Sequence, residues 1–266
     1  MAANGKWVYA IAERVAVPNT PLAQIRGVGG REVRTIEAAG LTAVAEDVGL
    51  AEFGEESLRR NLEDLEWLEA TARAHHRVID AVALQGPLVP MRLATIYSGD
   101  AQIAAMLSER GADFRAALGR MNGRQEWGVK AYANRQPETS DDSAVTPGPP
   151  GPGTGAGAAY LRRRRDQLSA QKDARRETLA SAEMIHAELS RYAAETRLHP
   201  PQAPQLTGNK EPMILNAAYL LDSARHEDFA GAVTALAGQH PGLRLELTGP
   251  WPPYSFAGTD EEGGRR

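Results

Sequence analysis

Between Gln136 and Ala159 the chain carries five prolines and five glycines in 24 residues. Proline removes a backbone donor and glycine widens the unfolded ensemble, so no packed helix or strand is sustained there. The stretch reads as a flexible, exposed insertion, and the regular structure has to come from the residues on either side of it. Those residues are adequate for a core: 42% of the 266-residue chain is hydrophobic and 24% charged, close to the averages of soluble globular proteins.

Several classes of function are excluded early. With no cysteine, disulfides, thiolate metal sites and a cysteine nucleophile are ruled out. The opening MAANGKWVYAIAERV lacks the apolar run and small-residue cleavage site of a signal peptide. No apolar stretch approaches the roughly 20 residues that cross a bilayer. A soluble, intracellular protein is expected. The net charge of −4 gives no overall attraction to nucleic acid or anionic lipid. The charge is uneven, however: Glu55–Glu69 holds six acidic and two basic residues, and Arg162–Arg176 seven basic and two acidic. Both segments read as helices that complement one another within the fold or face different partners.

Trp7–Arg14 alternates as a strand, with Trp7, Tyr9 and Ile11 on one face. Val33–Ala38 and Leu41–Val48 flank Ala39-Gly40 and read as a hairpin. Glu55–Ala83 reads as one helix with a stripe of Leu58, Leu62, Leu65, Leu68, Ala72, Ile79 and Val82, stopped by Gly86-Pro87. Val89–Tyr97 reads as a strand, Asp100 as the N-cap of a helix to about Met121, and Glu126–Ala133 as a strand. Leu161–Leu198 is helical in pattern, as one helix of roughly 55 Å or as two or three shorter ones. Met213–Leu221, Glu227–Ala237 and Leu243–Leu247 read as strand, helix and strand, after which Pro250, Pro252 and Pro253 oppose further regular structure.

Pro90–Tyr97 (PMRLATIY) and Pro212–Tyr219 (PMILNAAY) each precede a helix and a strand. Two such units make the skeleton of a ferredoxin-like β-α-β-β-α-β sheet. The expected architecture is α+β in two domains. Residues 1–84 form an N-terminal α+β domain. Residues 85–266 form a ferredoxin-like domain carrying the flexible linker 136–159, a helical insertion over 160–199 and an aromatic, proline-rich tail over 249–256.

The candidate chemistry is thin. Gly27-Val28-Gly29-Gly30 lacks the Lys-Ser/Thr and the following helix of a phosphate loop, and reads as a turn. Thr207-Gly208-Asn209-Lys210 reads the same way. His75 and His76 point about 100° apart on a helix and make a poor metal pair. His186, His199, His226 and His240 show no ligand spacing, and no serine sits in a nucleophile elbow. No catalytic, cofactor-binding or metal-binding residue is assigned. Two segments remain as interaction candidates. Arg162, Arg163, Arg164 and Arg165, joined by Lys172, Arg175 and Arg176, form a basic face with only Tyr160 as a neighbouring aromatic. Trp251, Tyr254 and Phe256 sit in a stiff Gly-Pro-Trp-Pro-Pro-Tyr-Ser-Phe ribbon. It is expected to pack across the domain junction, with a partner-docking strip as the alternative.

The opening WVYAIA, the stretch HHRVIDAVALQGPLVPMRLATIY, the strands EWGVKAY and MILNAAYLL, and the terminal LELTGPWPPYSF occur in order from Trp7 to Phe256. Together they resemble the GvpF/GvpL family of gas vesicle proteins. The resemblance implies a two-domain α+β protein with a modified ferredoxin-like second domain and a helical extension. It implies a non-enzymatic, cytoplasmic accessory or minor structural protein associated with gas vesicles. Such a protein binds the hydrophobic shell protein and other gas vesicle accessory proteins, assists nucleation and assembly, and keeps the shell protein from aggregating. No cofactor, nucleic acid or membrane partner follows from it. Two alternatives stand beside this reading: a nucleic-acid-binding regulator using the basic helix 162–176, and a small-molecule enzyme on the ferredoxin-like sheet.

Overall fold

A computed structural model describes residues 4–13, 24–134, 156–202 and 211–258. The chain divides into two compact units. The first comprises residues to Trp127, Leu220–Ser223 and the chain from Gly249 onward; the second comprises Gly128–Tyr219 and Ala224–Thr248. The division thus differs from the boundary expected at residue 84.

In the first unit the elements in chain order are β1 (Asn4–Glu13), β2 (Val33–Ala38), β3 (Leu41–Gly49), α1 (Leu50–Phe53), α2 (Glu55–Asn61), α3 (Leu65–Ala83), β4 (Leu88–Pro90), β5 (Ile96–Tyr97), α4 (Asp100–Glu109) and α5 (Gly111–Met121). The sheet order is β2-β3-β1-β4, and β5 also pairs with β1. The hairpin is as expected. Ala39 and Gly40 both take positive φ, 51° and 72°, the backbone of a two-residue turn that matches strand twist. In β1 every residue from Trp7 to Ala12 is buried, because α3 and α5 both contact it. Val89–Tyr97 is not one strand but two short ones, paired with β1 at Ala10–Pro90 and Lys6–Tyr97. That pairing is what draws residues 88–97 into the first unit.

Two helix boundaries also differ from expectation, each for a local electrostatic reason. The helix from Glu55 is interrupted at Leu62–Asp64, where the Asp64 side chain accepts the amides of Glu66 (2.9 Å) and Trp67 (3.3 Å) and opens a fresh helix. The buried stripe of α3 therefore runs through Thr71, Ala74, His75, Val78, Ile79 and Val82, and leaves Leu62 and Leu65 exposed. Asp100 does not cap α4. Its carboxylate is taken by Arg34 (2.5 and 3.0 Å) and Lys6 (3.4 Å), and the N-cap Gly99 offers no side chain. Asp47 joins the same group of charges through Lys6 at 2.5 Å.

Strand β6 (Arg124–Ala133) leads into the second unit, followed by α6 (Ala156–Ser190), β7 (Glu195–Leu198), β8 (Met213–Asp222), a short 3-10 turn, α7 (His226–Gln239) and β9 (Leu243–Trp251). The sheet order is β7-β8-β6-β9. Three of the four strands, β6, β8 and β9, are those expected from the sequence; residues 88–97 belong to the other sheet, and β7 is the fourth. Residues 195–198 are strand rather than helix. The long helix is one unbroken element of 35 residues. It lies in the chain between β6 and β7. Its last turns bury Ala182, Ile185 and Leu189 and contact α7. Strand β9 runs on through Pro250 to Trp251, which the prolines were expected to prevent. As the last strand in the sheet order it can hold a residue without an amide donor. Of the proline- and glycine-rich stretch, Ala156–Ala159 open α6; the rest, like Thr207–Lys210, lies outside the described residues.

Candidate interaction site

The C-terminal ribbon belongs to the first unit and packs on the last turns of α3. His76, Asp80 and Leu84 recur every fourth residue and so share one face. His76 Nε2 lies 3.3 Å from Asp80 Oδ2. On the other side of that imidazole, Nδ1 meets the Tyr254 hydroxyl at 3.2 Å. The His76 ring stacks on Tyr254, with centroids 6.1 Å apart, and is tilted against Trp251 at 5.6 Å. Burial pushes the Tyr254 hydroxyl pKa up, and the carboxylates of Asp80 and Glu126 add to the shift. Tyr254 therefore stays a neutral phenol able to share its proton with His76.

Ribbon position is set by a buried carboxylate. Glu126 accepts the Ser255 amide at 2.8 Å and the Ser255 hydroxyl at 2.6 Å. Charge-assisted bonds of this kind are roughly twice as strong as neutral ones. Phe256, next in the chain, is 1% exposed. The three aromatics grouped by the sequence thus separate in role: Phe256 anchors the ribbon, while Trp251 and Tyr254 remain 43% and 36% exposed. Between Trp251 and Leu84, which is 85% exposed, opens a groove of about 590 Å³, lined also by Met121–Gln125 and Pro250–Pro253. Its lining mixes apolar residues such as Leu84, Leu88, Met121 and Trp251 with the polar His76, Asp80, Asn122, Arg124, Gln125 and Ser223, so it offers both apolar surface and hydrogen-bonding groups to a segment of another chain. Sequence reasoning found the ribbon and noted His76, but did not link it, with Asp80 and Leu84, to the ribbon; their i, i+4, i+8 spacing was the available signal.

The basic residues are elsewhere. Arg162, Arg164 and Arg165 are exposed on α6, as are Lys172, Arg175 and Arg176, and all belong to the second unit. The Arg163 side chain lies outside the described residues. The two histidines of α3 part company as their spacing demands. Trp7 Nε1, which can only donate, bonds His75 Nδ1 at 2.9 Å, so the proton is on Nε2 and is donated to the Met91 carbonyl at 3.1 Å. Among the described residues no three histidine, aspartate or glutamate side chains converge as a metal site. No helix among them is long and apolar enough to cross a membrane.

His75 makes folding pH-dependent. Burial lowers its pKa from 6.5 to about 4, with the nearby His76 adding to the shift and the Met91 carbonyl opposing it. The unfolded chain thus binds a proton between these values that the folded chain refuses. Stability is full above pH 6.5 and is lost as pH falls toward 4. A fall of about 2 kcal/mol between pH 7.5 and pH 5 is expected from this group, at about 1.4 kcal/mol per pK unit. Burial lowers His186 and His199 as well. Urea unfolding at both pH values should therefore be repeated on His75→Leu, whose pH dependence is expected to be shallower by about that amount.

The family model for "Gas vesicle synthesis protein GvpL/GvpF" matches residues 5–258. The chain belongs to the GvpL/GvpF family. Gas vesicle protein L of Streptomyces sp. (strain CB03234) is 39% identical over 89% of this chain and 87% of its own length. Gas vesicle protein F of the same strain is 26% identical over 94% of this chain and 98% of its own. The crystal structure of GvpF from Anabaena sp. PCC7120 shares the fold, with a TM-score of 0.65 at 19% identity and 97% of each chain covered. The mixed helix-and-sheet architecture and a role in gas vesicles follow for this member of the family.

Proposed function

We propose that this chain is a non-enzymatic assembly factor that binds the hydrophobic gas vesicle shell protein through the groove between Leu84 and Trp251. There it assists nucleation and keeps the shell protein from aggregating. The observation that carries this reading is the exposure of Leu84 and Trp251 around one concavity. Exposed apolar side chains grouped at a groove mark partner sites. A shell subunit with an apolar face needs such a cover until it is incorporated. The working place is the cytoplasm, at the growing vesicle and beside other gas vesicle accessory proteins. The higher identity to protein L than to protein F of one Streptomyces strain supports an L-type member. The β-α-β-β-α-β succession from β6 to β9, with its first and third strands central, supports a ferredoxin-like reading of the second unit.

Co-purification of the full chain with the shell protein tests the proposal. Trp251→Ala and Leu84→Ser are expected each to weaken the complex by about 2 kcal/mol, some thirtyfold in Kd. Their melting temperatures should stay close to the parent, because both side chains are substantially exposed. Unchanged affinity in both variants removes the groove from the proposal. Absence of any complex with the parent chain removes shell binding itself.

A further inference from the structure

Along α6 the residues Leu161, Arg164, Leu168, Lys172, Arg175 and Leu179 follow at spacings of three or four, and so form one stripe along a single helix face. Every one of them is exposed, with Leu161 at 67% and Leu168 at 44%. Arg164, Lys172 and Arg175 have no ion-pair partner among the described residues. The next turns of the helix carry Ala182, Ile185 and Leu189, which are buried in the second unit. The apolar pattern of α6 thus continues beyond the part that its own unit covers.

The first unit carries the complement. At the turn between α2 and α3, Leu62 and Leu65 are 36% and 76% exposed. They are surrounded in sequence by Glu56, Glu63 and Glu66, exposed and without an ion-pair partner among the described residues. Each surface offers leucines with an excess of unmatched charge of one sign around them. We infer that the chain self-associates by seating the Leu161–Leu179 stripe of one copy on the α2–α3 turn of a second copy. Leucine meets leucine, and Arg164, Lys172 and Arg175 meet Glu56, Glu63 and Glu66. Two molecules of net charge −4 repel as wholes, so local pairing of this kind sets the orientation of the encounter. The contact is between unlike surfaces, closing into a ring or dimer if reciprocated.

Sedimentation velocity of the full chain over a wide concentration range tests this. A concentration-dependent mass is expected, with the association constant falling about tenfold or more between low and high salt. The triple variant Arg164→Glu, Lys172→Glu, Arg175→Glu is expected to sediment as a monomer, and so is Glu56→Lys, Glu63→Lys, Glu66→Lys. Mixed together, the two carry matched surfaces again and should associate. All six side chains are exposed, so thermal melts of both variants should match the parent. A parent chain that stays monomeric at every concentration overturns the inference, since pairing within one molecule would be independent of concentration. So does association that ignores the charge reversals, or a mixture of two folded variants that fails to recover. A monomer that instead binds duplex DNA through the same arginines would overturn it in favour of a nucleic-acid interface.

Discussion

A chain ended after Thr248 is expected to lose about 5 kcal/mol of stability or more, while one ended after Gly258 should melt with the full-length protein. The shorter chain loses Phe256, whose side chain is 1% exposed, and removing a buried phenylalanine costs about 3–5 kcal/mol through transfer and cavity terms. It also loses both Ser255 donors to Glu126. A carboxylate that is 8% exposed is then left without them, a further penalty of about 1–3 kcal/mol. Pro252 and Pro253, both buried, go as well. Glu126→Gln in the full-length chain separates the two contributions: Phe256 stays in place while one charge-assisted acceptor is lost, so a smaller loss of about 1–2 kcal/mol is expected. Urea denaturation of the three chains provides the comparison. A chain ended at Thr248 that keeps full stability but no longer holds the shell protein would make the ribbon a docking strip alone, and Phe256 an anchor without a load.

Elements whose pairing is local were legible before the structure was known. The β2–β3 hairpin could be read because Ala39-Gly40 and the flanking alternation carry the whole signal. Of the α3 core, Ile79 and Val82 could be read because the period is helical, whereas Thr71, Ala74, His75 and Val78 lay outside the expected stripe and Ala72, inside it, is exposed. Other misreadings occur where a partner distant in sequence decides. Asp100 has the residue type and position of a cap, yet Arg34 and Lys6, more than sixty residues away, take its carboxylate. Pro90–Tyr97 matches Pro212–Tyr219 in composition, but strand partners are chosen by the sheet, and residues 88–90 and 96–97 pair with β1. In the candidate site the aromatic ribbon was visible from composition alone. Its division into an anchor and two exposed rings was not, because that depends on Glu126, and nothing in the sequence ties residue 126 to residue 255.

The glycine segment shows the same limit, and it bears the second large expectation. Gly27-Val28-Gly29-Gly30 reads as a turn and is one, closed by Gly27 N to the Arg31 carbonyl at 3.1 Å. Its amides do point at an anion, but the anion is internal. Glu46, fully buried, accepts Gly29 N (3.1 Å), Arg31 N (2.7 Å) and the Tyr9 hydroxyl (2.6 Å). The Tyr9 oxygen in turn accepts Val28 N at 2.9 Å. Burial, and then the bond to Glu46 and its charge, push the Tyr9 pKa up, so the phenol remains the donor in that pair. Gly27 fits only because it has no side chain. A methyl there would collide with the Tyr9 hydroxyl and the Glu46 carboxylate, standing 2.8 Å from Glu46 Cδ. Gly27→Ala is therefore expected to cost about 3 kcal/mol or more, since displacing either partner strands buried donors. Glu46→Gln should cost about 2–3 kcal/mol for a different reason: the amide keeps one acceptor oxygen and, in either orientation, turns its NH2 toward a backbone N–H, of Gly29 or Arg31, that can only donate. The two changes disturb one network, so the double variant should lose clearly less than the sum of the singles. Additive losses in urea denaturation would mean that the loop and the carboxylate stabilise the fold independently, and that the glycine is required for some other contact.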